Sequence, residues 1–253
     1  VTPAELRELP IDVAVLQTPR DASLFDEWVG RPVPRIYVEH DIPMTLPGPR
    51  HVMADRTDIV VAHVTPLNRL LWDCGSTETT VIEHGIVDPG YRYVGDLQAA
   101  VAVINEPVRR WWVSGADLVE RLRSSVDVDL FGMQSESLGG EDVPQHALHD
   151  EMARRRAYVH AFRWTSLGLS LIEAMQIGLP VAAVACTEAP NAVPPRAGLV
   201  TNDLDALETF LCELMEEPDM AREMGVVARA YAIDRFGLDL FLSDWDALLE
   251  RVA

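Results

Sequence analysis

The chain has 253 residues, 48% of them hydrophobic and 24% charged, which supports one large core or two modest ones and excludes global disorder. Asp and Glu total 40 against 21 basic residues, a net charge of −19 that repels phosphate backbones and anionic lipid, so no nucleic-acid partner is expected. All 21 basic residues are arginine, which excludes Schiff-base chemistry on a lysine amine and any lysine grip on a phosphate.

In chain order, a short helix is expected over Pro3–Leu9, followed by buried strands at Ile11–Leu16, Arg35–Val38, Ile59–His63 and Thr80–Ile82. The irregular stretch 83–91 carries glycine and proline and reads as a linker. Beyond it, strands are expected at Ala99–Ile104, Val128–Phe131, Ala157–His160, Val181–Ala185 and Gly198–Val200. Helical patterns at Ala116–Arg123, His146–Arg155, Leu169–Ile177 and Leu204–Met215 alternate with them. The chain closes on two consecutive helices, Asp219–Phe236 and Leu238–Val252. Strand–helix alternation with continuously apolar strands predicts the α/β class, with parallel sheets covered on both faces.

Two sheets are expected: a Rossmann-like lobe over 1–90, a second lobe over 91–236, and a last helix, 237–253, packing back at the lobe junction. The first lobe opens on a helix rather than on a strand whose turn faces a ligand, so it is expected to be incomplete at its start. Its open sheet edge then favours a homodimer. Cys74, Cys186 and Cys212 are odd in number and far apart, which fits neither a disulfide framework nor a metal clip and suits a reducing, cytoplasmic setting. No apolar run approaches the ~20 residues of a membrane span.

The run most suggestive of chemistry is Arg163-Trp164-Thr165-Ser166-Leu167-Gly168-Leu169-Ser170-Leu171-Ile172-Glu173-Ala174-Met175, closed by Gly178 and Pro180. A strand feeds a turn with two hydroxyls and a glycine, and a helix opens directly after it. Gly168 lets a ligand approach the backbone, and the first helical amides form a positive end suited to a diphosphate. Glu173, one turn inside, is placed to accept hydrogen bonds from ribose hydroxyls. The same spacing also fits a plain structural helix, with Thr165 or Ser166 as its N-cap and Glu173 solvated.

This run resembles the signature of the retaining GT-B glycosyltransferases of group 1, family four of the carbohydrate-enzyme classification. Gly168 to Met175, then Gly178, Pro180 and Val181, match the family's pattern in type and spacing. Thr80–Gly85 resembles its inter-lobe linker, and Val226–Phe236 with the last helix resembles its C-terminal region. The resemblance implies a GT-B-like pair of Rossmann-type lobes and a hexosyltransferase. Such an enzyme moves a sugar from a nucleotide-sugar to an acceptor with retention, needing no cofactor and no metal. It implies Glu173 on the donor ribose, and Ser166, Leu167, Gly168 and Leu169 along the diphosphate and sugar. His40 falls where the family places a histidine beside the transferred sugar. Asn105 and His84 each follow a strand and are further cleft candidates.

Three departures from the pattern stand out. Thr165 replaces the first glutamate of the family's pair, so a hydroxyl stands where a carboxylate is expected. Arg109 or Arg110 has to supply the diphosphate charge that a lysine gives elsewhere, which an arginine fork can do bidentately. The family's glycine-rich first turn has no counterpart in the sequence. A catalytically impaired nucleotide-sugar-binding or partner subunit therefore stands as the alternative function, and an epimerase on the same fold as a third. Three Asp-x-Asp triplets, at Asp127, Asp203 and Asp244, are read as structural. His146 and His149, three apart on a predicted helix, are read as a solvated face rather than a metal pair.

Overall fold

A computed structural model describes residues 2–44 and 48–253. It divides the chain into two units, residues 1–85 with 239–253 and residues 86–238. Among the described residues nine strands form two wholly parallel sheets of four and five strands, as the α/β reading requires, and each strand overlaps an expected one.

The first unit orders its strands β1 (Ala14–Leu16), β2 (Arg35–Glu39), β3 (Ile59–His63) and β4 (Glu78–Val81) consecutively across the sheet. Right-handed crossovers between parallel strands taken in sequence order all fall on one face. On that face α1 (Pro3–Glu8) and α2 (Pro19–Val29) help bury Ala14, Leu16, Tyr37, Ile59 and Val61, and α3 (Pro66–Leu71) links β3 to β4. All three helices open on Thr-Pro, at Thr2, Thr18 and Thr65, with the threonine hydroxyl accepting from the third helical amide. Proline pre-sets φ at the first helical position and has no N–H to leave unpaired. The opposite face of the sheet, carrying Ile36, Val60, Ala62 and Ile82, is covered by the terminal helix, which supplies Leu248 and the half-buried Phe241, Trp245 and Leu249.

The second unit places β5 (Leu97–Val103), β6 (Val128–Phe131), β7 (Arg155–His160), β8 (Val181–Val184) and β9 (Gly198–Thr201) in the order β6-β5-β7-β8-β9. Its helices are α4 (Trp111–Ser114), α5 (Ala116–Leu122), α6 (Gln145–Ala153), α7 (Leu169–Ile177), α8 (Ala189–Ala192), α9 (Leu204–Glu216) and α10 (Pro218–Phe236); α11 (Leu238–Val252) is the terminal helix. One contiguous core runs through this unit, with Tyr158, Leu171, Ile172 and Met175 at most 2% exposed. The strand order reverses between β5 and β7. In open α/β sheets ligands bind outside the carboxyl ends of the strands at such a reversal.

Candidate functional site

The loops leaving β5 and β7 meet at this switch point. The β7 loop is anchored from the β5 side, because the Arg163 amide donates to the Val113 carbonyl at 2.9 Å. The Arg163 guanidinium forks onto both oxygens of Asp117 at 2.6 Å and lies 3.9 Å over the Trp112 ring. Three loops on this edge hold a non-glycine residue at positive φ: Glu106 after β5, Gln134 after β6 and Thr187 after β8. Such backbone is costly and concentrates at functional edges of folds.

Helix α7 begins at this edge. Its N-cap is Gly168, with extended backbone and no side-chain cap, so neither Thr165 nor Ser166 takes that position. The missing side chain matters: a Cβ at Gly168 would come within 3.2 Å of the His160 ring. Ser166 and Leu167 are buried under the turn, Thr165 is half-buried, and Leu169 is 47% exposed at the first helical position. An uncapped helix start beside a ligand edge presents amide donors and the positive end of the dipole to an anion.

Glu173 sits one turn in. Among the described residues nothing donates a hydrogen bond to its carboxylate, and its nearest charged neighbour is His149 of α6, with Nε2 3.7 Å from Oε1. That Nε2 is itself buried without a hydrogen-bond partner. The reading of His146 and His149 as one solvated face is therefore corrected. His146 is exposed, whereas the His149 ring is 20% exposed and turned towards Glu173. Beneath them the Tyr158 hydroxyl and Ser170 Oγ lie 2.9 Å apart, and burial, with the Glu173 charge adding, raises the phenol pKa well above its usual range. His160, at the end of β7, is fully buried with Nδ1 unpartnered, and burial pushes its pKa down to about 4, so it is neutral at pH 7.

The two candidate arginines diverge. Arg109 is exposed and forks back onto Glu106, with Nε 3.0 Å from Oε1. Arg110 is half-buried and stacks 5.5 Å from the Phe162 ring, which carries its charge towards the β7 loop. Asn105 ties the β5 exit to the β6 exit by accepting from the Met133 amide at 3.0 Å. Two of the three Asp-x-Asp triplets have structural partners, and the third lies on a helix. Asp129 pairs with Arg155 at 2.7 Å, Asp203 caps α9, and Asp244 and Asp246 lie within α11.

In the first unit, His40 and His84 stack with centroids 6.1 Å apart at the carboxyl end of the sheet. Behind His40, on the other sheet face, lies a buried polar cluster that sequence reading did not single out. Glu39 accepts from the Asp41 amide and from His51 Nε2, both at 2.8 Å, and the Asn68 amide donates to the Glu39 carbonyl at 2.9 Å. These bonds tie Asp41, His51 and Asn68 to the last residue of β2. The Cys74 thiol lies 3.7 Å from His63 Nε2, and its pKa is pushed up to about 11, chiefly by burial, which makes it an inert thiol. The three cysteines are free.

The two parallel sheets, the second with its reversal of strand order, have the α/β architecture of GT-B glycosyltransferases. Residues 94–217, most of the second unit, match the family model of the group 1 glycosyl transferases. A 67-residue stretch is 39% identical to the GDP-mannose-dependent monoacylated α-(1-6)-phosphatidylinositol monomannoside mannosyltransferase of Corynebacterium glutamicum, covering 26% of this chain and 18% of that enzyme. Anabaena HepE, solved with UDP and glucose, superposes with a TM-score of 0.77 over 98% of this chain and 80% of its own, at 14% identity. TarM of S. aureus gives 0.73 over 94% of this chain, again at 14% identity, and the chain spans 54% of its length. Both structures share the fold. Among the described residues no helix is long and apolar enough to cross a membrane.

Proposed function

We propose that this chain binds a nucleotide-sugar through its second unit and transfers the sugar to an acceptor with retention at the anomeric carbon, without a metal. The observation that carries the reading is the glycine-started, uncapped end of α7 with Glu173 one turn in, its carboxylate receiving no hydrogen bond from the protein. A diphosphate placed there meets the amides of Gly168, Leu169 and Ser170, and the ribose hydroxyls donate to Glu173. On the protein side the nearest charged neighbour of that carboxylate is the His149 imidazole, 3.7 Å away. Arg110 supplies positive charge as the diphosphate leaves, with Arg109 able to join it by leaving Glu106. Helix end and guanidinium then do the neutralising work that a metal does in other transferases. The hydroxyl of Thr165 takes the sugar-facing position where relatives carry a carboxylate, and His40 is assigned to the transferred sugar. The unpaired cysteines suit action in the cytoplasm.

Thr165 also favours a second reading, a subunit that binds the donor and does not turn it over. Both are tested by incubating the chain with sugar nucleotides and following the anomeric proton by NMR, with and without a chelator. The expected result is slow hydrolysis of one α-linked donor to the α-anomer, unchanged by chelation. The inverted anomer, or loss of turnover on chelation, contradicts the transferase reading. Binding without turnover selects the second.

A further inference from the structure

The first unit contains a cavity of about 300 Å³ between its sheet and α11, with His40 on its rim. Its sheet side is formed by Val15, Val38, Ala62 and Ile82, one from each strand or its exit, all on the face turned to α11. Phe241 and Trp245 form the opposite wall. Further along α11, Leu248, Leu249 and Val252 pack directly against the same sheet, so the separation is confined to the carboxyl ends of the strands. The cavity opens to solvent at its Val15 and His40 edge, and a concave, mostly apolar cleft with a few polar groups is the usual form of a small-molecule site.

The lining says what kind. Among the described residues no carboxylate and no guanidinium lines the cavity; its polar groups are Gln17 and the stacked imidazoles of His40 and His84 at the strand ends. A phosphate, a carboxylate or a free sugar finds too few partners there. An aliphatic or aromatic body buries well, and one hydroxyl reaches the histidine rim. We infer that this cavity binds the apolar portion of an alcohol, with the hydroxyl held at His40 and His84, and that the alcohol is the acceptor. His84 supports the role, since burial first, then the neighbouring His40, lowers its pKa below the ordinary value and leaves it neutral to accept from a hydroxyl.

The acceptor assignment rests on the transferase reading; the binding site does not. In the transfer, the alcohol oxygen bonds to the anomeric carbon as the bond from that carbon to the diphosphate breaks. The bonding pair goes to the diphosphate, and the hydroxyl proton follows it.

The test is calorimetric titration of the full chain with 1-hexanol, 1-heptanol and 1-octanol in the absence of any nucleotide. Each added methylene is expected to tighten binding roughly three- to fourfold. Ala62→Phe, which fills the cavity, is expected to weaken 1-octanol at least tenfold; Val15→Trp, from an exposed position at its edge, serves if the first variant does not fold. Absence of saturable binding, affinity independent of chain length, or equal affinity in a folded filled variant would overturn the site. A wild-type dimer by light scattering that Val15→Trp converts to monomer would overturn it too, by giving the cavity to a second copy. Saturable binding of 1-octanol that yields no octyl glycoside, from a chain that does hydrolyse its sugar nucleotide, overturns the acceptor role alone. Failure of the nucleotide itself to bind marks failure of the transferase reading.

Discussion

His63 and His160 are the two imidazoles most completely removed from water. Burial pushes each pKa down to about 4, with the nearby His51 adding to the effect at His63 and Glu39 opposing it. In the unfolded chain both titrate near the ordinary ~6.5. Between these values the folded state binds fewer protons than the unfolded one. Their contribution to stability is therefore complete above pH ~6.5 and lost as the pH falls towards 4, on the order of 3 kcal/mol at most for each. Urea midpoints are expected to drop clearly between pH 7.5 and pH 5, and a flat profile over that range would contradict the neutral, buried assignment. Glu173 and the Gly168 turn could be read from local spacing. The partnership of Glu173 with His149 could not, because it depends on how α6 and α7 pack across β7, which no local pattern encodes. The same holds for Glu39, His51 and Asn68, which look like surface polar residues until the sheet brings them together.

At the scale of elements, the strands were legible because short β-branched runs between turn formers leave few alternatives. Helices α2 and α3 were not. In α2 the buried Ala22, Phe25 and Val29 do recur at helical spacing between the Thr18-Pro19 start and the Gly30 stop, but only three positions carry the pattern, among charged residues. The Thr-Pro start repeated at Thr2, Thr18 and Thr65 is the stronger signal for these helices. Helix α10 illustrates a constraint of another kind. Gly225 lies against the turn that ends α7, where a Cβ would overlap the carbonyl oxygen of Gly178, a backbone atom that cannot swing aside. Gly225→Ala should therefore destabilise the chain by about 1–3 kcal/mol despite alanine's better helix propensity. Val226→Ala, at a position 53% exposed, should stay within about 0.5 kcal/mol of wild type. Thermal melts of the two variants check this, and an unshifted Tm for Gly225→Ala would mean that the two helices yield.

At the scale of the molecule, strand order decides where each unit can work. The first sheet runs β1-β2-β3-β4 without reversal, so its crossovers crowd one face and leave the other to α11. The second reverses between β5 and β7, and the glycine turn, Arg110 and Glu173 gather at that edge. The presence of two sheets could be expected from the sequence. The reversal could not, since pairing order is a property of the assembled sheet. The most direct test of the account is calorimetric titration with UDP, GDP and ADP of the chain and of Glu173→Ala. One nucleotide is expected to bind, and the variant to lose about 10- to 100-fold in affinity, the worth of hydrogen bonds to a charged group. Failure of all three to bind, or equal affinity in the variant, would contradict the placement of the donor at the start of α7.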